Sequence, residues 1–214
     1  MKKTIVLFIL FVLPIVAYLF FASGVNSFTT LPVITPKVAE MGDWKSLKSD
    51  PVKLNGRITV LGFGGYDIVK NRGNIFNLNQ KVYERYHEFT DLQFVYICPI
   101  GTEKEVKVIY DKCAEITNMK QWQFVFASPD EIKAFYSGLG LKGQLNPDLG
   151  TPNVFLIDKK LKLRGRNEKG EYIEGYDTFH PSAISNELLD DFKVLLYEYK
   201  AALKRNHNAT KREI

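Results

Sequence analysis

Histidine and cysteine are scarce in this sequence, with three of the one and two of the other among 214 residues. Chemistry that needs several imidazole or thiolate ligands converging on one point has little to draw on. His87 falls late in a helical stretch, His207 in the C-terminal tail and His180 directly before Pro181. A site joining Cys98 to His180 would lack further ligands, so no metal site is expected. A disulfide is disfavoured too. Cys98 is expected at the exit of a strand and Cys113 about ten residues into the next helix, roughly 15 Å further along, whereas bridged cysteines need Cα atoms within about 7 Å. Cys113 lies on an apolar stripe and reads as a small core residue. Cys98, before Pro99, is the candidate redox thiol, because strand ends in such sheets face the functional edge. Even so, a buried, inert thiol is the favoured reading of Cys98.

Positive charge is missing where a nucleic-acid binder would need it. Of the formal +5, Lys2 and Lys3 carry two charges, and the stretch from Lys200 (Lys200, Lys204, Arg205, Lys211, Arg212 against Glu213) carries a net four, which leaves about −1 for everything between. The centre of the chain has no basic excess to neutralise phosphates, and no nucleic-acid partner is expected. Nucleotide-binding loops are absent as well: after Gly62 and Gly64 the third glycine of G-x-G-x-x-G is replaced by Asp67, and no G-K-[ST] follows. There is no internal repeat and no low-complexity tract. The basic tail, 206–214, reads as a solvated terminus, with contact to an acidic surface or anionic lipid as the alternative.

What the sequence does have begins with an uncharged run, "TIVLFILFVLPIVAYLFFA", Thr4 to Ala22. As a helix it covers about 28 Å, close to the hydrocarbon thickness of a bilayer, and Pro14 is tolerated inside membranes. Residues 1–23 are therefore expected to be a transmembrane anchor, with a cleaved secretory signal as the alternative. Lys2 and Lys3 favour a cytoplasmic N-terminus, which puts the remainder on the periplasmic or extracytoplasmic side. Residues 24–52, punctuated by Pro32, Pro36 and Pro51, read as a tether, with "DWKSL" as its first docked piece. A domain is expected over 53–205.

Within that domain strand and helix signals alternate. "RITVLGF" (57–63), "LQFVYI" (92–97) and "WQFVFA" (122–127) read as buried strands, separated by helical spacing up to Phe89 and over 103–116. Ser128 and Pro129 stand in the favoured N-cap and N1 positions of another helix. "TPNVFLID" is a further strand. A hairpin around Lys169 and Gly170 follows, and Pro181 opens a last helix. The expected fold class is α/β: a thioredoxin-like mixed sheet flanked by helices, with one N-terminal transmembrane helix.

Three patterns in order, "VLGFGG", "WQFVFASPDEIKAFYSGLG" and "FLIDKKLKLRGR" followed by "GYDTFHPSAISNELLDDFKVLLYEYK", resemble the SenC/Sco family of membrane-anchored thioredoxin-like proteins. The resemblance implies copper delivery or thiol redox work during assembly of a respiratory cytochrome oxidase. It also implies two cysteines in a C-x-x-x-C turn after the first strand and a histidine before the later one, a ligand set suited to copper. Here the cysteine positions fall near Ile68 and Arg72, and the histidine near Gly150 or Thr151. All three ligands are missing, so copper is implied by the family alone and no cofactor is expected. The expected function is a non-catalytic module that binds a protein partner at the membrane in respiratory-complex or envelope assembly. Its candidate contact surface comprises Tyr66, Asp67, Ile68, Arg72, Thr151 and Pro152. The Thr151–Pro152 bond is open to cis or trans. The alternative function is a thiol oxidoreductase, electron-transport or copper-delivery protein using Cys98.

Overall fold

The computed structural model describes residues 8, 10–16, 30–168 and 170–210, the last ten by their backbone alone. The expected span, 4–22, lies largely outside them; its positions 8 and 10–16 are helical. Among the described residues no helix is long and apolar enough to cross a membrane.

Three runs, apolar apart from Thr59, Gln93 and Gln123, make the centre of the sheet. Strand β3 (Ile58–Phe63) and strand β4 (Leu92–Pro99) are buried at every position, the pattern of parallel strands covered on both faces. They pair in parallel from Ile58↔Leu92 to Phe63↔Ile97, and β5 (Trp122–Ala127) continues in parallel beside β4. On the other side β6 (Asn153–Ile157) runs antiparallel to β3, and β7 (Leu163–Arg164) antiparallel to β6. The order β7-β6-β3-β4, with β6 alone reversed, is the core arrangement of a thioredoxin-like fold. Strand β8 (Arg166–Glu168) and β9 (Glu171–Ile173) form the expected hairpin, and β10 (Tyr176–Asp177) pairs with the start of β6.

The tether expected over 24–52 is corrected from residue 31 onward. Strand β1 (Val33–Thr35) pairs with β7, and β2 (Lys45–Ser46) pairs with β5, so this stretch closes both edges of the sheet. Leu31, Val38 and Met41 are buried. Strands of two and three residues are too short to display a period, which is why the sequence pattern hides them. The tail is corrected as well, since the last helix continues through residue 206 to Thr210.

Helix α1 comprises Arg72–Leu78, a π-helical turn Asn79–Tyr83 and Glu84–Tyr86. At the π turn the buried Asn79 side chain accepts a hydrogen bond from Trp122 Nε1 at 3.1 Å and donates to Thr117 Oγ1 at 3.4 Å. Helix α2 is Glu103–Ala114. Helix α3 (Pro129–Gly138) starts with a full capping box between Ser128 and Glu131. Helix α4 runs through Pro181–Ala183, a π-helical Ile184–Leu188 and Leu189–Thr210.

Two cores sandwich the sheet. One packs Val60, Phe94, Trp122 and Phe124 against α1, α2 and α4; the other packs Leu61, Phe63, Val95 and Val125 against α3 and the 38–54 stretch. Arg164 locks the N-terminal stretch to the last helix. It is almost fully buried and donates to Asp158 Oδ2 at 2.9 Å, to Glu198 Oε2 at 2.8 Å and to the Leu31 carbonyl at 2.7 Å. The Leu31 N–H returns a bond to Glu198 Oε1 at 2.8 Å.

Candidate functional site

The turn after β3 is held by backbone on both sides. Gly64 N–H donates to Ile97 O at 2.9 Å, and Gly64 bridges to Gly150. Tyr66 N–H donates to Asp148 O at 2.8 Å, and Thr151 N–H to Phe63 O at 3.2 Å. The segment 146–151 is thus a strap across the turn, itself folded by Leu149 N–H donating to Asn146 O at 2.8 Å and Asn146 N–H to Gly150 O at 2.9 Å. Close approach of the two chains requires glycine at position 65. It has φ +66°, and a Cβ there would stand 2.6 Å from Asp148 Oδ2 and 2.7 Å from the Gly150 nitrogen.

Most of the expected contact surface is at the surface, but it is divided. Tyr66 is 49% exposed, Asp67, Arg72 and Pro152 are exposed, and Thr151 is half-buried. Ile68 is a correction: it is 1% exposed and belongs to the core, where its Cδ1 lies under Gly64 and would be 2.7 Å from a Cβ added there. An isolated apolar residue in a turn gives no periodic sign of which way it points. The start of α1 parts two clefts. Arg72, whose guanidinium donates to Val69 O at 2.8 Å, lines one of about 370 Å³ with Val69 and Val108. Asn71 lines the other, of about 300 Å³, with Asn74, Asn146, Pro152 and His180. The Thr151–Pro152 peptide is trans.

Cys98 lies directly beneath the turn and is fully buried; its Sγ would be 2.9 Å from a Cβ at Gly64. Burial pushes its thiol far above the usual range. The thiolate that redox chemistry or copper ligation requires is therefore disfavoured at the one cysteine near the site. Cys113, also buried, is pushed up to about 11 by desolvation, and both cysteines are free. Among the described residues no three His, Cys, Asp or Glu side chains gather closely enough to hold a metal ion. Ile68, Arg72, Gly150 and Thr151 offer copper neither thiolate nor imidazole, so the donor set does not fit that ion.

The second cleft contains residues the sequence pattern did not single out for this site. His180 Nδ1 pairs with Asp177 Oδ2, Asp177 Oδ1 accepts from Phe179 N–H at 2.7 Å, and Phe179 is 65% exposed. Thr178 ties this corner to the strap edge by donating through its hydroxyl to Pro152 O at 2.6 Å. The "NPDLG" turn signature was the available clue to the strap. The edge presents the aromatic ring of Tyr66, the Asp67 carboxylate, exposed valines, a proline and the His180–Asp177 pair.

No family model matches the chain, and no curated protein does. Solved structures similar to it include a thiol:disulfide interchange protein of the thioredoxin family from Chlorobium tepidum TLS, 20% identical over 72% of this chain and 97% of that one, at a TM-score of 0.48. The soluble domain of Sco1 from Bacillus subtilis is 13% identical over 78% and 97% of the two chains, at 0.48. Copper-bound ScoI from Arabidopsis thaliana is 13% identical over 73% and 98%, at 0.43.

Proposed function

We propose that this chain is a membrane-anchored, outward-facing thioredoxin-like module of the SenC/Sco type that binds a protein partner during assembly of a respiratory oxidase or another envelope complex, without carrying copper or turning over thiols. The observation that supports this reading best is the state of Cys98: the single cysteine near the turn is sealed under Gly64 and Ile68, with its thiol held protonated. The strapped turn and the exposed Tyr66, Asp67, Val69 and Pro152 supply a rigid surface that a partner can grip without induced ordering. The anchor in this reading is 4–22, with the N-terminus cytoplasmic.

Titration of the full chain in detergent with Cu(I) against a competing chelator tests the copper half, and no stoichiometric retention is expected. One equivalent held tightly overturns the reading. A photo-crosslinker at Asp67, compared with one at the exposed Lys120 before the start of β5, at the opposite edge of the sheet, tests the partner half in intact membranes. A discrete adduct from 67 and none from 120 is expected; equal or absent adducts contradict it.

A further inference from the structure

The last helix descends from the turn edge to the opposite edge of the sheet. His180, just before it, shares a cleft with Pro152. Roughly 18 residues later, about 27 Å along a helix, Lys159 Nζ lies 5.5 Å from the Tyr199 ring centroid and pairs with Asp91, beside the start of β4. On this lower part Lys193, Leu196, Tyr197 and Lys200 recur at i, i+3, i+4 and i+7 and so share one stripe. With Tyr86 and Phe89 they enclose a groove of about 300 Å³. Tyr197 is 61% exposed, Lys200 Nζ stands 4.6 Å from the Phe89 ring centroid, and Lys193 pairs with Asp190 at 2.9 Å. From Lys200 onward the sequence holds five cations and Glu213 as the sole acid.

The apolar N-terminal run joins the domain at the same edge, since Leu31 is bonded to Glu198 on the adjoining turn of the same helix. Residues 23–30 separate that run from Leu31, and fully extended they reach at most about 28 Å. Anything the run is embedded in is therefore close to the stripe. We propose that this lysine and tyrosine stripe lies on an anionic phospholipid surface, with the turn edge facing away from it; the proposal rests on the anchoring of 4–22 proposed above. Tyrosine and lysine with an apolar stem suit the headgroup boundary. Negative lipid attracts the basic stretch, and a short tether keeps it at high local concentration. A domain held this way offers Tyr66, Asp67 and Pro152 outward, away from the bilayer.

The test uses the full chain reconstituted in vesicles of phosphatidylcholine alone or with roughly 30% phosphatidylglycerol. An environment-sensitive fluorophore is placed at Y197C or, for comparison, at D67C; the native cysteines are buried. Lipid-borne quencher is expected to act on the 197 label at least about twofold more in anionic vesicles, to lose that excess in about 0.5 M salt, and to spare the 67 label. K200E/K204E/R205E should remove the excess. Equal quenching in both vesicles, equal quenching at both labels, or shielding of 197 that rises with protein concentration in detergent overturns the proposal; the last result means a second copy fills the groove. Extraction by alkaline carbonate is read in parallel. Retention with no quenching refutes the docking alone, whereas release from the membrane refutes the anchor on which it rests.

Discussion

Gly65 and Gly170 both have positive φ, +66° and +88°, yet their surroundings differ. A Cβ at Gly65 runs into strap backbone, while one at Gly170 meets nothing within 4 Å. Alanine at 170 should therefore cost only the left-handed penalty, about 1–2 kcal/mol. Alanine at 65 adds a steric clash and should cost roughly 1–3 kcal/mol more. Urea denaturation of the two variants checks the ordering, and equal losses would mean the strap yields. Cys98 gives a second test at this scale. A fully buried, protonated thiol should resist alkylation near neutral pH and react once denaturant is added. Mass spectrometry follows the modified peptide, and labelling of the native protein would contradict the geometry.

Arg164 joins three elements, β7, the last helix and the chain at Leu31. R164A would strand two carboxylates, Asp158 and Glu198, in a site they share with no other cation among the described ion pairs. A loss of about 3–5 kcal/mol is expected, with proteolytic nicking concentrated in 31–46; thermal melting and limited digestion read both. Legibility in the sequence follows element length. Strands β3, β4 and β5 are runs of six to eight residues, buried throughout apart from the partly exposed Gln123, and declare themselves, as does the Ser128 cap. Strands β1 and β2 do not, because pairing partners far along the chain define them rather than their own pattern. The same holds for the candidate site. The exposed turn was legible from Tyr66 and Asp67, whereas the cleft beside Pro152 is assembled from three distant segments and leaves no local trace.

Among the described residues the large titration shifts are all upward and fall on the alkaline side, while Lys48 and Glu131 shift downward to a lesser degree. Burial raises Cys113 to about 11 and Tyr199 to about 12, and it raises Cys98, Tyr96 and Tyr176 further. A group raised on folding contributes fully below its unfolded pKa and loses that contribution as pH climbs through the folded one. Stability should be level from neutral pH to about 9, the ordinary thiol value, and fall steeply between about 9 and 12. Circular dichroism melts across that range check it; a level profile to pH 12 would refute the assignment. The double closure of the sheet by 31–46 has a consequence in time rather than space. During synthesis these residues leave the ribosome well before their pairing strands, β5 and β7, which are completed only at Ala127 and Arg164. The segment must thus wait for strands made long after it, and until it docks both rims of the nascent sheet stand open to foreign strands. Whatever escorts this chain during its emergence has two borders to guard.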